Sequence, residues 1–73
     1  MINRNKLRGK IVENGISVEE LSKQIGINPS TFYRKMEDNY MSQFTIGECH
    51  KICSILKLSP EDAISIFLPA YSQ

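Results

Sequence analysis

The sequence predicts an all-α fold of five short helices, and three observations predict it. One local pattern recurs at Ile2-Asn3…Leu7, Ile16-Ser17…Leu21, Ile27-Asn28…Phe32, Phe44-Thr45…Cys49 and Leu58-Ser59…Ala63. Each instance sets an apolar residue before an Asn, Ser or Thr and a second apolar residue four positions beyond it. This is the hydrophobic staple around a helix N-cap, where the side-chain oxygen accepts from an orphan N–H of the first turn. Glycines stand at positions 15 and 26, where the first two helices must stop, and suit a left-handed C-cap. No stretch alternates apolar and polar residues for long enough to make a strand.

The elements follow in order. Helix 1 spans about 3–14, with Leu7, Ile11 and Val12 as its apolar stripe. Helix 2 spans about 17–25, opens on a capping box of Ser17 with Glu20, and is lined by Val18, Leu21 and Ile25. Helix 3 spans about 28–37, with Pro29 at the first helical position, where its missing N–H costs nothing, and Phe32 and Met36 inward. A polar connection from Asp38 to Phe44 carries Tyr40 and Met41. Helix 4 spans about 45–57, opens on a second capping box of Thr45 with Glu48, and buries Ile46, Cys49, Ile52, Cys53 and Leu56. Helix 5 spans about 60–68, with Pro60 at its first position. Counting 100° per residue, Ala63, Ile64 and Phe67 make its buried stripe, and Ile66 and Leu68 fall on either flank.

At 73 residues the chain is expected to be one domain over 1–73. No apolar run approaches the roughly 18 residues of a membrane span. The N-terminus MINRNKLRGK lacks the apolar core of a signal peptide, and two cysteines make no disulfide framework. A soluble, cytoplasmic chain away from membranes is the expectation. The net charge is +1, but it is unevenly spread. Residues 1–35 carry Arg4, Lys6, Arg8, Lys10, Lys23, Arg34 and Lys35 against Glu13, Glu19 and Glu20, a net of +4. Residues 36–73 carry two lysines against five acids, a net of −3. Such a dipolar chain can turn one positive face to a polyanion, although an accidental asymmetry of a solvated surface gives the same count.

Enzyme chemistry finds little support. The cluster Cys49-His50-Cys53 lacks a fourth zinc ligand, and His50 lies roughly 100° around the helix from Cys49. Both cysteines fall at core spacing and read as small buried hydrophobes. The adjacent acids Glu19–Glu20, Glu37–Asp38 and Glu61–Asp62 stand at helix ends, where they serve caps and dipoles better than acid–base catalysis. No glycine-rich phosphate loop is present. No enzyme activity, cofactor, metal or small-molecule ligand is expected.

Helices 2 and 3 are different. Their connection is so short that they pack steeply, and the second must expose one face. With Phe32 and Met36 inward, Ser30, Thr31, Arg34 and Lys35 fall on the outer arc and Tyr33 at its flank. Small residues near the start allow close entry into a groove, and Arg34 one turn later can fork onto a base edge or a phosphate.

The segment SVEELSKQIGINPSTFYRKM resembles the helix-turn-helix of the lambda-repressor-like family, the Cro/CI and Xre-type regulators. The residues that carry the likeness are Leu21, Ser22, Ile25, Gly26, Ile27 and the Ser30-Thr31-Phe32 run. The later stretch FTIGECHKICSILKLSPEDAISIF is similar to the C-terminal helices of small phage and prophage regulators of Gram-positive bacteria. The resemblance implies a compact five-helix domain whose helices 2 and 3 form the helix-turn-helix, with helix 3 in the DNA major groove. It implies base reading by Pro29, Ser30 and Arg34, with Thr31 and Lys35 near the backbone or groove edge; Asn28, Thr31 and Tyr33 are expected to complete the base-reading set. Phosphate contacts are expected from Arg4, Arg8, Lys10 and Lys35, and from Ser17 and Val18 at the start of helix 2. Three positions depart from the family pattern: Val18 where glutamine is frequent, Ser22 where alanine is preferred, and Lys35 where an apolar residue is usual.

The expected function is a sequence-specific double-stranded DNA-binding regulator, most simply a Cro-like repressor at a palindromic operator, working at the nucleoid of a bacterial or phage-infected cell. The alternative is a helix-turn-helix used as a protein-interaction module, as in an antirepressor or an antitoxin-like partner. Helix 5 is apolar over more of its circumference than one core requires. Ile66, Leu68 and Tyr71 are therefore expected to form part of a two-fold homodimer surface. That would set two recognition helices about 34 Å apart, one DNA turn.

Overall fold

The computed structural model describes residues 2–37 and 44–68. Five helices follow one another: α1 Arg4–Glu13, α2 Val18–Ile25, α3 Pro29–Glu37, α4 Ile46–Leu56 and α5 Pro60–Phe67. The boundaries match the expected ones once the capping residues are counted outside the helices. All five caps form. Asn3, Ser17, Asn28, Thr45 and Ser59 each accept the backbone N–H three residues on. Thr45 completes its capping box, with its own N–H donated to Glu48 Oε1 at 2.9 Å. Ser17 makes only half of the expected box. Glu20 Oε2 instead accepts from Gln24 Nε2, one turn along the helix.

Three helices stop in the same way. After α1, α2 and α4, the N–H of Ile16, Ile27 and Leu58 reaches five residues back, to the carbonyls of Ile11, Ser22 and Cys53. This is the Schellman closure, and it requires a left-handed residue just before the reaching N–H. Gly15 and Gly26 supply it with φ of 66° and 90°. At the third stop it is Lys57, with φ 54°.

The core gathers Leu7, Ile11, Leu21, Ile25, Phe32, Met36, Phe44, Ile52, Leu56, Ile66 and Phe67. Phe32, Phe44 and Phe67 stack edge-on in series, with ring centroids 5.1 Å and 6.2 Å apart. The other staple residues, Ile2, Ile16, Ile27 and Leu58, pack against this cluster. α2 packs on α3 and α4, and α1 on α5. Two polar ties close the ring. The Asn3 N–H donates to the Ile66 carbonyl at 2.8 Å, and Asn14 Nδ2 donates to the Leu56 carbonyl at 3.1 Å.

Three expectations about stripes are corrected. Val12 is 77% exposed and Ile46 90% exposed, so neither joins the core. α5 is turned by about 60° from the expected orientation. Ile66 is wholly buried with Phe67, while Ile64 and Leu68 are exposed. The Asn3 bond to the Ile66 carbonyl and the Lys6 and Lys10 contacts with Asp62 hold α5 against α1, and in this packing Ile66 is enclosed. Ile66 is therefore a core residue and is not available to a partner. Tyr71 lies outside the described residues.

Candidate nucleic-acid interface

α2 ends at Ile25 and α3 begins at Pro29. The turn between them is fixed twice. The Ser22 carbonyl accepts the N–H of both Gly26 and Ile27 at 3.0 Å. Asn28 Oδ1 then accepts the Thr31 N–H at 2.9 Å and the Ser30 hydroxyl at 2.7 Å. Phe32 and Met36 are buried, at 0% and 3% exposure, and they fix the rotation of α3. Its outward arc carries Ser30, Tyr33, Arg34 and Glu37, all exposed, while Pro29 and Thr31 are half-buried at its edge. Asn28 sits at the same end, but its oxygen is committed to the cap. Arg34 forms no ion pair among the described residues.

The expected phosphate contacts divide into three groups. Arg4 and Arg8 stand one turn apart on α1, and both bind the Glu37 carboxylate at the end of α3, Arg4 at 2.8 Å. Lys10 points the other way. Its ammonium lies 3.2 Å from Asp62 and 3.6 Å from Glu13, beside Lys6, which also reaches Asp62. The hydrogen bond from Lys10 holds the Asp62 carboxyl below its ordinary value, and the same bond raises Lys10. These lysines clasp α1 to α5, so Lys10 does not belong to the α3 face.

Lys35 is also removed from the outer arc. Its Nζ bridges both oxygens of Glu48 at 2.7 Å and 3.0 Å, and the two side chains are only 16% and 15% exposed. This accounts for a lysine at a position where an apolar residue is usual: α3 leans on the start of α4, and Glu48 meets the charge. Burial pushes the Glu48 carboxyl up, but hydrogen bonds from Lys35 and from the Thr45 N–H outweigh it, and the pKa falls below the ordinary value. At the head of α2, Ser17 Oγ takes the Glu20 N–H at 3.0 Å. Val18 is half-buried there and lines a cleft with Arg8, Ile11, Val12, Tyr33 and Met36.

On the far side, Cys49 and Cys53 are half-buried in an apolar groove between α4 and α5. Burial pushes the Cys49 thiol up to about 11, which leaves it protonated and unreactive near neutrality. Among the described residues no three His, Cys, Asp or Glu side chains gather as a metal site would need. Among the described residues no helix is long and apolar enough to cross a membrane.

Five capped helices, a glycine-closed turn between α2 and α3, and a third helix with a polar outward arc form one pattern. The family model of the Cro/C1-type HTH DNA-binding domain matches residues 6–67. The chain belongs to this family. No curated protein and no solved structure matches the chain significantly. In this Cro/C1-type domain α2 and α3 are the helix-turn-helix, and the family membership implies a regulator that binds double-stranded DNA.

Sequence reasoning misses two acids that hold cations of this region, Glu37 on the α3 face and Glu48 beneath it on α4. The sequence marks Glu37 only as a helix-end residue and Glu48 only as part of a capping box. Their arginine and lysine partners lie 33, 29 and 13 residues away in the chain, beyond the reach of any local pattern.

Proposed function

We propose that this Cro/C1-type domain is a sequence-specific transcription regulator, most simply a repressor, that lays α3 in the major groove of an operator. The outward arc of α3 carries this reading: Ser30, Tyr33 and Arg34 stand exposed over a helix whose rotation is fixed by Phe32 and Met36. Small Ser30 permits close approach, and Arg34 can fork onto guanine O6 and N7. Asn28, Pro29 and Thr31 border the groove at the head of the helix. Phosphates fall to Arg4, Arg8 and the first amides of α2 behind Ser17 and Val18, where the helix dipole favours an anion. The reading places the protein at the bacterial nucleoid.

The operator is palindromic in this reading, and the protein binds it as a homodimer. The dimer surface is the α4–α5 groove, where Ile46, Ile64 and Leu68 are 90%, 54% and 44% exposed beside Cys49 and Phe67. The same groove is what favours the competing reading, a protein-interaction module. Gel mobility shifts on the DNA flanking the protein's own coding region, run across a salt series, separate the two. DNA binding must weaken with a log–log slope of roughly −0.9 per phosphate neutralised. Arg34→Ala must lose about 1–3 kcal/mol on the operator and relax base preference. Absence of binding at low salt on every fragment refutes the DNA reading.

A further inference from the structure

An acid on a DNA-facing helix repels phosphate unless something covers it. Glu37 is such an acid. On the α3 wheel it falls about 20° from Ser30 and about 60° from Arg34, on the same outward arc. It also stands at the C-terminal end of α3, where the helix dipole disfavours a negative charge. Two arginines compensate. Arg4 and Arg8, an i,i+4 pair on α1, each donate to a different oxygen of the Glu37 carboxylate. Arg8 also borders the cleft it shares with Tyr33 and Val18, so the arginine pair, the reading helix and the head of α2 all meet on one side.

This is a two-guanidinium anion site with a carboxylate already in it. The site is open to solvent: the arginine side chains are 52% exposed and Glu37 is 39% exposed. We infer that Glu37 is a resident competitor for DNA phosphate, holding Arg4 and Arg8 in the free protein and setting how much of their charge the DNA can use. The inference rests on the DNA-binding reading above. Exposed ion pairs are worth little in water, so a phosphate of the polyanion can exchange with the carboxylate. The exchange leaves Glu37 uncovered beside the backbone, and that lowers the affinity the arginines would otherwise supply.

A purely structural tether between α1 and α3 predicts the opposite sign, so substitution separates the two. The full-length protein is titrated onto a mixed-sequence DNA duplex between about 50 and about 200 mM salt. Wild type is compared with Glu37→Gln, Glu37→Ala, Arg4→Gln/Arg8→Gln and the triple variant, each checked for folding by circular dichroism. Both Glu37 variants are expected to bind about tenfold more tightly at the low-salt end, with slopes steeper by about −0.9 to −1.8. The gain must shrink severalfold in the background lacking both arginines, where only the bare repulsion by Glu37 is left to remove. Binding unchanged or weakened in folded Glu37→Gln and Glu37→Ala overturns the inference and leaves the DNA reading standing. A gain that is just as large without the arginines is a general charge effect and overturns it equally. If wild type and variants all fail to bind the duplex at low salt, the DNA reading falls and the inference falls with it.

Discussion

Replacing Ser22 by alanine should stabilise the protein. Ser22 is wholly buried in α2, and its hydroxyl has no hydrogen-bond partner among the described residues. Three terms set the magnitude. Removing an unsatisfied buried hydroxyl returns about 1–3 kcal/mol. The helix interior favours alanine over serine by about 0.5 kcal/mol. Against these, the small void left by one oxygen costs a few tenths of a kcal/mol. The net is a gain of about 1–3 kcal/mol. The turn itself is untouched, because the Ser22 group that accepts from Gly26 and Ile27 is the backbone carbonyl. Each kcal/mol moves the melting temperature of a domain this size by about 4–8 °C. Thermal and urea unfolding of Ser22→Ala are the measurements, and DNA binding should not change. A variant no more stable than wild type would refute the reasoning, because it would mean that the hydroxyl donates back to a carbonyl one turn earlier in α2.

Lys57 occupies a left-handed C-cap that glycine fits without strain, so Lys57→Gly should raise stability by about 0.5–1 kcal/mol, read from the urea midpoint. Lys35→Ala leaves Glu48 unpaired at a site mostly shielded from water, and should cost about 1–3 kcal/mol, between the ranges for exposed and fully buried pairs. Acid should weaken the fold in a definite window. Glu48 and Asp62 are held below their ordinary values of 4.5 and 3.8, so their contribution is complete above about pH 5 and is lost as pH falls through the lower folded values. A urea midpoint that stays flat to about pH 3 would contradict that assignment. Ile66→Asp should unfold the monomer, whereas Leu68→Asp should leave it folded and act only on association, as sedimentation with and without operator DNA would report.

Helix starts were legible because a cap is a local device. Asn3, Ser17, Asn28, Thr45 and Ser59 each act on an N–H three residues away, so five residues of sequence contain both partners. The stops at Gly15 and Gly26 were legible for the same reason. The stop at Lys57 was not, since a lysine gives no signal of a positive φ. The apolar spacing of Phe32 and Met36 indicated which side of α3 faces out, and Ser30 and Arg34 followed from it; Tyr33, expected at the flank, is on the arc, while Thr31 and Lys35, expected on the arc, are half-buried at its edges.

The tertiary structure decided what distant residues do to one another. Which flank of α5 is buried depended on its packing against α1 and against Phe44, contacts between distant parts of the chain. Ile66 therefore went to the core, and Ile64 and Leu68 to the surface. The cations were divided in the same way. Sequence alone listed Arg4, Arg8, Lys10 and Lys35 as equal candidates for phosphate. Packing set Lys10 against Asp62, Lys35 against Glu48, and Arg4 and Arg8 against Glu37. A helix carries its own periodicity, but the charge it meets belongs to whichever helix packs beside it, and that neighbour is fixed only when the core closes.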